Sequence, residues 1–218
     1  MILLAIDTAT ECCSAALWVN GKMYSRSSVQ PRLHAELILP FIDELLDEAH
    51  IQKSIIKGLI VAQGPGAFTG VRIGVAVAQG IALALDIPVV AVSNLKALAF
   101  SAYKQLNTTD EKTILVATDA RMKEVYWTDY LICGSNIKSL SDEKVGSAQD
   151  IDLSKIDAYI GSGFSVYPEL IEFANKLQMP YETNAYSQAQ DMILMVKDDF
   201  IDKAEDISLI EPIYLREP

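Results

Sequence analysis

Histidine is scarce: His34 and His50 are the only two in 218 residues, and they stand too far apart to form a His-x-x-x-His pair. A paired-histidine metal site is excluded, and His34 reads as a cap or interface residue. Cysteine is equally sparse. Cys12 and Cys13 are adjacent and Cys133 is distant, which is neither a disulfide framework nor a metal-binding spacing. Positive charge is also short, with 18 Lys and Arg against 29 Asp and Glu and a net charge of −11. A free-standing nucleic-acid binder needs a basic face, so that class is disfavoured. No run of about 18 uncharged apolar residues has spanning character; the longest apolar tract follows Arg72, is rich in Gly and Ala and carries Gln79. The opening Met1 to Asp7 has no basic segment and reaches an acid too soon for a signal peptide. These absences predict a cytoplasmic globular protein that does not engage a membrane. With 50% hydrophobic residues it has enough apolar surface for one large domain or two lobes.

What is present centres on Gly64-Pro65-Gly66-Ala67-Phe68-Thr69-Gly70-Val71-Arg72-Ile73-Gly74. It follows the apolar run Gly58 to Ala62, so it reads as strand, glycine turn and helix start, the arrangement of a phosphate cradle. The spacing fits neither common cradle: Thr69 stands where a Rossmann fingerprint needs glycine, and Gly70-Val71-Arg72 replaces the Gly-Lys-Ser/Thr of a P-loop. On a helix reaching about Leu85, Gly70, Gly74, Ala78 and Ala82 share one face. That line is a groove another backbone can approach. Most other positions are apolar, and Arg72, Gln79 and Asp86 form a narrow polar seam. Two readings stand: a central core helix, or a helix with a sheet on one side and another protein chain on the other.

In chain order, Ile2 to Ile6 reads as a buried strand, Cys13 to Val19 as a second and Met23 to Val29 as a third, with Asn20-Gly21 as a hairpin turn. Asp7-Thr8-Ala9-Thr10-Glu11 is either turn chemistry, the Asp and Thr side chains bonding their own backbone, or a remnant phosphate loop. Leu33 to about Ala49 has a helical apolar stripe that includes Leu37 and Phe41, and Pro40 should kink the helix or begin its main body. Ile87 to Val92 is another buried strand, so the first half reads βββαβαβ. The second half repeats the plan. Thr113 to Ala120 is a strand ending in Asp119, Glu124 to Tyr130 an alternating strand with its turn at Gly134-Ser135, Ala158 to Gly163 a strand and glycine turn, and helices follow at about 165–178 and 185–203. The repetition implies a duplicated fold. Charge is unequal: residues 1–102 carry seven Lys and Arg and eight Asp and Glu, whereas 103–218 carry 11 and 21. A sparsely charged first half raises the odds that it buries a face against a partner.

Two ribonuclease-H-like lobes, each with a strand–Asp loop, resemble the actin, Hsp70 and sugar-kinase (ASKHA) superfamily. Within it, AIDTATECCSAAL, GPGAFTGVRIGVAVAQGIA, DARMKEVYW and the terminal PIYLR resemble the TsaB family along essentially the whole chain. The resemblance implies an α/β fold with lobes 1–102 (partner-binding) and 103–218 (acidic), and a non-catalytic subunit. Its partner would be TsaD in the synthesis of threonylcarbamoyladenosine on tRNA, with the ATPase TsaE joining, tRNA engaged indirectly and a homodimer when alone. The catalytic relative's His-x-x-x-His pair falls here on Asn94 and Leu98, which cannot replace imidazole ligands. The resemblance places the first lobe's helices in a helical bundle with the partner, so the expected interface comprises His34, Leu37, Phe41, Gly70, Arg72, Gly74, Ala78 and Gln79. Arg72 would make a bidentate bond to a carboxylate across it, the alternative being a pair within its own chain. Asp7, Thr8 and Thr10 form a vestigial nucleotide site. No cofactor is expected to be tightly bound; ATP or ADP would belong to a composite site between subunits. The competing reading is a small-molecule kinase of the same superfamily, but its phosphate loop would lack the needed glycine.

Overall fold

The computed structural model describes residues 1–30, 32–106, 110–134, 136–177 and 185–216. In chain order its elements are β1 (Ile2–Asp7), β2 (Cys12–Val19), β3 (Lys22–Val29), α1 (His34–Ala49), β4 (Gly58–Ala62), α2 (Phe68–Leu85), β5 (Val89–Val92) and α3 (Asn94–Leu106). Then come β6 (Lys112–Asp119), β7 (Val125–Cys133), β8 (Asn136–Ser139), β9 (Lys144–Gly146), β10 (Ala158–Ile160), α4 (Gly163–Val166), α5 (Pro168–Leu177), α6 (Ala189–Val196) and α7 (Phe200–Lys203). The expected βββαβαβ order holds for the first half. Two expected helices are each divided: that at 165–178 into α4 and α5, where Pro168 removes a backbone donor, and that at 185–203 into α6 and α7. Ser135 and residue 178, included in the expected turn and helix, lie outside the described residues.

The chain divides into two compact units, Met1–Asn94 with Ser187–Ile213, and Leu95–Tyr186 with Tyr214–Pro218. This differs from the division expected at residue 102. After Asn94, α3 turns its apolar residues Leu95, Leu98, Ala99 and Ala102 into the core formed with Ile114, Val116, Tyr130 and Ile160, so nearly all of it belongs to the second unit. Conversely α6 and α7 return to the first unit. The sequence pattern of either helix shows an apolar face without saying which sheet it covers.

The first unit has a five-stranded sheet of order β3-β2-β1-β4-β5. β1 and β2 pair antiparallel, as do β2 and β3, and β4 and β5 run parallel to β1. Asn20 and Gly21 make the expected hairpin turn with φ of 47° and 102°, the left-handed pair that a two-residue loop requires. Side chains alternate along β1. Leu3, Ala5 and Asp7 point to the side of α6 and α7, where Phe200 closes over Gly58. Leu4 and Ile6 point to the side of α1 and α2. The second unit's sheet has order β10-β6-β7-β8, with β9 also on β7. That repeats the first four positions of the first sheet, and among the described residues no strand takes the place of β5. The two units therefore have the two-lobe ASKHA-like α/β fold.

Cys12 and Cys13 lie in β2 and are completely buried, whereas Cys133 is exposed. Burial pushes the Cys12 thiol up to about 11 and the Cys13 thiol up to about 12, and only thiolates react rapidly. A maleimide at pH 7.5 should therefore label Cys133 in the native protein and reach the other two only after denaturation, as mass spectrometry of tryptic peptides would report.

Candidate functional site

The loop after β1 brings distant segments together. The Asp7 carboxylate is completely buried and accepts hydrogen bonds from the Ala9 amide at 2.9 Å, from Asn94 Nδ2 at 3.0 and 3.1 Å and from the Ser187 hydroxyl. Asn94 Nδ2 also donates to Ser187 Oγ at 2.7 Å. Its Oδ1 accepts from the Gly64 amide at 2.9 Å, while its own amide donates to the Gly64 carbonyl at 2.9 Å. One asparagine thus ties the strand end to the glycine turn. The Thr8 hydroxyl donates to the Gly70 carbonyl at 2.7 Å, and Thr10 Oγ1 accepts from the Cys12 amide at 3.3 Å. His34, at the start of α1, lies 2.8 Å from the Thr10 carbonyl through Nε2, which must carry the proton because a carbonyl can only accept.

Asp7, Thr8 and Thr10 are neighbours as expected, but each spends its polar group on the chain itself. Among the described residues no cation is bonded to the buried Asp7 carboxylate, and desolvation raises its pKa above the ordinary 3.8. Of the two places matching the histidine pair, Asn94 joins this cluster and Leu98 lies in the second unit's apolar core. Ser187 had no signal in the sequence: it lies 180 residues from Asp7, in a stretch without a motif.

The glycines of α2 require a correction. A Cβ on Gly70 would stand 2.2 Å from the Thr8 carbonyl oxygen, and one on Gly74 would stand 2.7 Å from Thr8 Oγ1. The face formed by Gly70, Gly74 and Ala78 is buried inside the first unit; its close-approaching backbone is the chain's own β1–β2 loop and not a partner. Gln79 is also turned to its own chain, donating to the Ile210 carbonyl at 3.4 Å. Arg72 is exposed and stacks on the Phe68 ring at 3.5 Å, a cation–π contact. On α1, His34 is buried against Thr10, and Leu37 and Phe41 are half-buried.

The opposite face of α2 is open. Only 33% of the helix's residues are buried, and Thr69, Arg72, Ala76, Gly80 and Leu83 are exposed at the three- and four-residue intervals of a single stripe. Leu83 is 71% and Phe68 58% exposed. By length and composition α2 is apolar enough to cross a membrane, yet its inner side packs on β1 and β4. A surface helix is ordinarily polar on its outer side; this one presents apolar side chains in both directions.

The second unit repeats the strand-end device with different chemistry. A Cβ on Gly161 would stand 2.3 Å from the Ala117 carbonyl oxygen. Asp119 accepts from Tyr167 at 2.7 Å and pairs with Arg121 at 2.9 Å. Arg121, Met122 and Lys123 are consecutively left-handed, with φ of 61°, 53° and 65°. Arg216 holds this turn through Glu124 and the Ala120 carbonyl, which accounts for the terminal arginine.

The comparisons with known proteins agree with this architecture. The family described as "TsaD: tRNA N6-adenosine threonylcarbamoyltransferase" matches residues 27–209. The tRNA threonylcarbamoyladenosine biosynthesis protein TsaB of Escherichia coli is 34% identical, over 99% of this chain and 95% of that protein. The chain belongs to the TsaB family. The Haemophilus influenzae TsaB is 32% identical over 99% of the chain and 94% of its own length. A solved YeaZ structure from Pseudomonas aeruginosa superimposes with a TM-score of 0.84 and 34% identity, covering 98% of this chain and 99% of that one. Among the described residues no three His, Cys, Asp or Glu side chains gather into a metal-binding group.

Two outcomes follow for this TsaB-family chain. Gly74→Leu should destabilise the isolated protein by about 1–3 kcal/mol, as overpacking in a filled interior does, here against the Thr8 side chain, measured by urea unfolding. The raised folded-state pKa of Asp7 means that the folded chain holds this proton more tightly than the unfolded one. Its contribution to stability is therefore greatest in acid and is lost as pH rises from 3.8 through the raised value. Asp7→Asn should remove that component from the dependence of Tm on pH.

Proposed function

We propose that this chain is a non-catalytic assembly subunit in tRNA threonylcarbamoyladenosine biosynthesis. It binds a TsaD protein through the first unit and so supports transfer of the threonylcarbamoyl group to the adenosine beside the anticodon. One observation carries the reading: α2 leaves an apolar stripe open to solvent in a chain that matches proteins named for this pathway over nearly their whole length. Covering side chains of the size of Phe68 and Leu83 against a partner is worth about 1.5–3 kcal/mol each, so such a face is costly to leave wet. Leu37 and Phe41 of the neighbouring α1 complete the bundle surface, and Arg72, already stacked on Phe68, lies at its edge.

The non-catalytic part of the proposal is supported by Asn94 and Leu98, neither of which can ligate a catalytic metal as imidazole does. It is also supported by the strand-end carboxylate, whose bonding is internal. Any ATP or ADP is assigned to a composite site with the partner. TsaE joins through the complex, tRNA is engaged indirectly, the chain pairs with itself when alone, and the work is cytoplasmic.

Gel filtration of the chain alone and mixed with TsaD should replace a self-dimer by a heterodimer peak. Incubated alone with threonylcarbamoyl-adenylate and tRNA, the chain should yield no modified adenosine. Transfer by the isolated chain, or the absence of a joint peak, defeats the proposal.

A further inference from the structure

The second unit has an open cavity of about 590 Å³ beside the β6–β7 turn. The turn contributes Arg121, Met122 and Lys123 to its lining, and segments 147–149 and 166–169 contribute Ala148, Val166 and Pro168. Ala148 and Tyr167 are buried, whereas Met122 is 80% and Val166 50% exposed. Large apolar side chains left wet beside a cavity mark a binding place, and methionine adapts to the shape it meets. The charges in the lining differ in how far they are already used. Asp119 is engaged by Tyr167 and Arg121, and Glu169 by Gln149 Nε2 at 2.9 Å. The Arg121 side chain nevertheless stays 70% exposed, and among the described residues the exposed Lys123 ammonium has no ion-pair partner. The turn is also held in a costly form: three successive residues other than glycine have positive φ, and Arg216 fixes them through the Ala120 carbonyl and Glu124.

We propose that this cavity binds a short acidic segment of a partner protein. A carboxylate of the segment is set against Arg121 and Lys123, and a neighbouring aliphatic side chain enters beside Met122 and Val166 onto Ala148. Charge complementarity selects this occupant. Residues 103–218 carry 11 Lys and Arg against 21 Asp and Glu, so two adjoining exposed cations form an island in an acidic unit. A nucleic-acid backbone needs a continuous basic track and is repelled outside the island, whereas one or two carboxylates are matched by it. A small free anion would leave Met122 and Val166 wet. The proposal is independent of the assembly reading above, which concerns the first unit.

Fluorescence anisotropy with the full chain tests it, using labelled Glu-Leu-Asp-Leu-Glu, its uncharged counterpart Gln-Leu-Asn-Leu-Gln and a single-stranded RNA oligonucleotide as probes. Lys123→Asp and Met122→Asn are the variants, because Asp and Asn tolerate the left-handed backbone there and both native side chains are exposed, so Tm should not change. The acidic peptide should bind about tenfold more tightly than the uncharged one, and each variant should weaken it about tenfold. Equal or undetectable binding of the two peptides overturns the proposal. Wild-type affinity in either variant does so too, because the peptide then sits elsewhere. RNA that binds more tightly than the acidic peptide and is weakened by Lys123→Asp also overturns it, since the occupant is then a nucleic acid.

Discussion

The packing of the β1–β2 loop on α2 is the contact from which the first unit takes its shape. The Thr8 carbonyl and hydroxyl occupy the space that side chains at positions 70 and 74 would fill, and the Thr8 hydroxyl bonds the Gly70 carbonyl in return. Backbone meets backbone at Gly70 and the Thr8 side chain fills the space at Gly74, which fixes the depth and rotation of α2 on β1 and β4. Once that rotation is set, Ala76, Gly80 and Leu83 must face away from the sheet. The open apolar stripe is thus a consequence of the glycine contact on the far side of the same helix.

Behind this contact lies the Asp7 cluster, which joins three parts of the chain that are remote in sequence. A buried carboxylate costs several kcal/mol to desolvate; here donors from Ala9, Asn94 and Ser187 offset part of that cost, and desolvation still outweighs them. Asn94 matters twice, since it also fixes the Gly64 turn from which α2 departs. The strand-end aspartate serves here as an internal brace. The second unit makes the corresponding turn with Asp119, Tyr167 and Arg216, where more exposed ion pairs replace the buried network. Duplicated backbones have therefore diverged in how their strand ends are bound.

Local features were legible from the residues. The hairpin at Asn20-Gly21, the βββαβαβ order and the length of α2 to Leu85 depend on turn chemistry and periodicity, which involve neighbours a few positions apart. The division of labour between the units was less so. α3 and α6 have apolar faces that fit either sheet, and the choice is made by packing partners far along the chain.

For the candidate site the division is sharper. By itself the sequence determined that α2 is apolar around most of its circumference, that no histidine pair stands after β5, and that Asp7 ends a strand. Only the tertiary structure decided which small residues of α2 meet the chain's own backbone and which remain open. Gly70-Gly74-Ala78 and Ala76-Gly80-Ala84 are both small-residue lines at helical spacing, and periodicity defines a face without naming what lies against it. The Thr8 loop chose between them. Likewise an aspartate after a strand has the same local signature whether it holds a ligand or Ser187, because the deciding neighbour arrives from the other end of the chain.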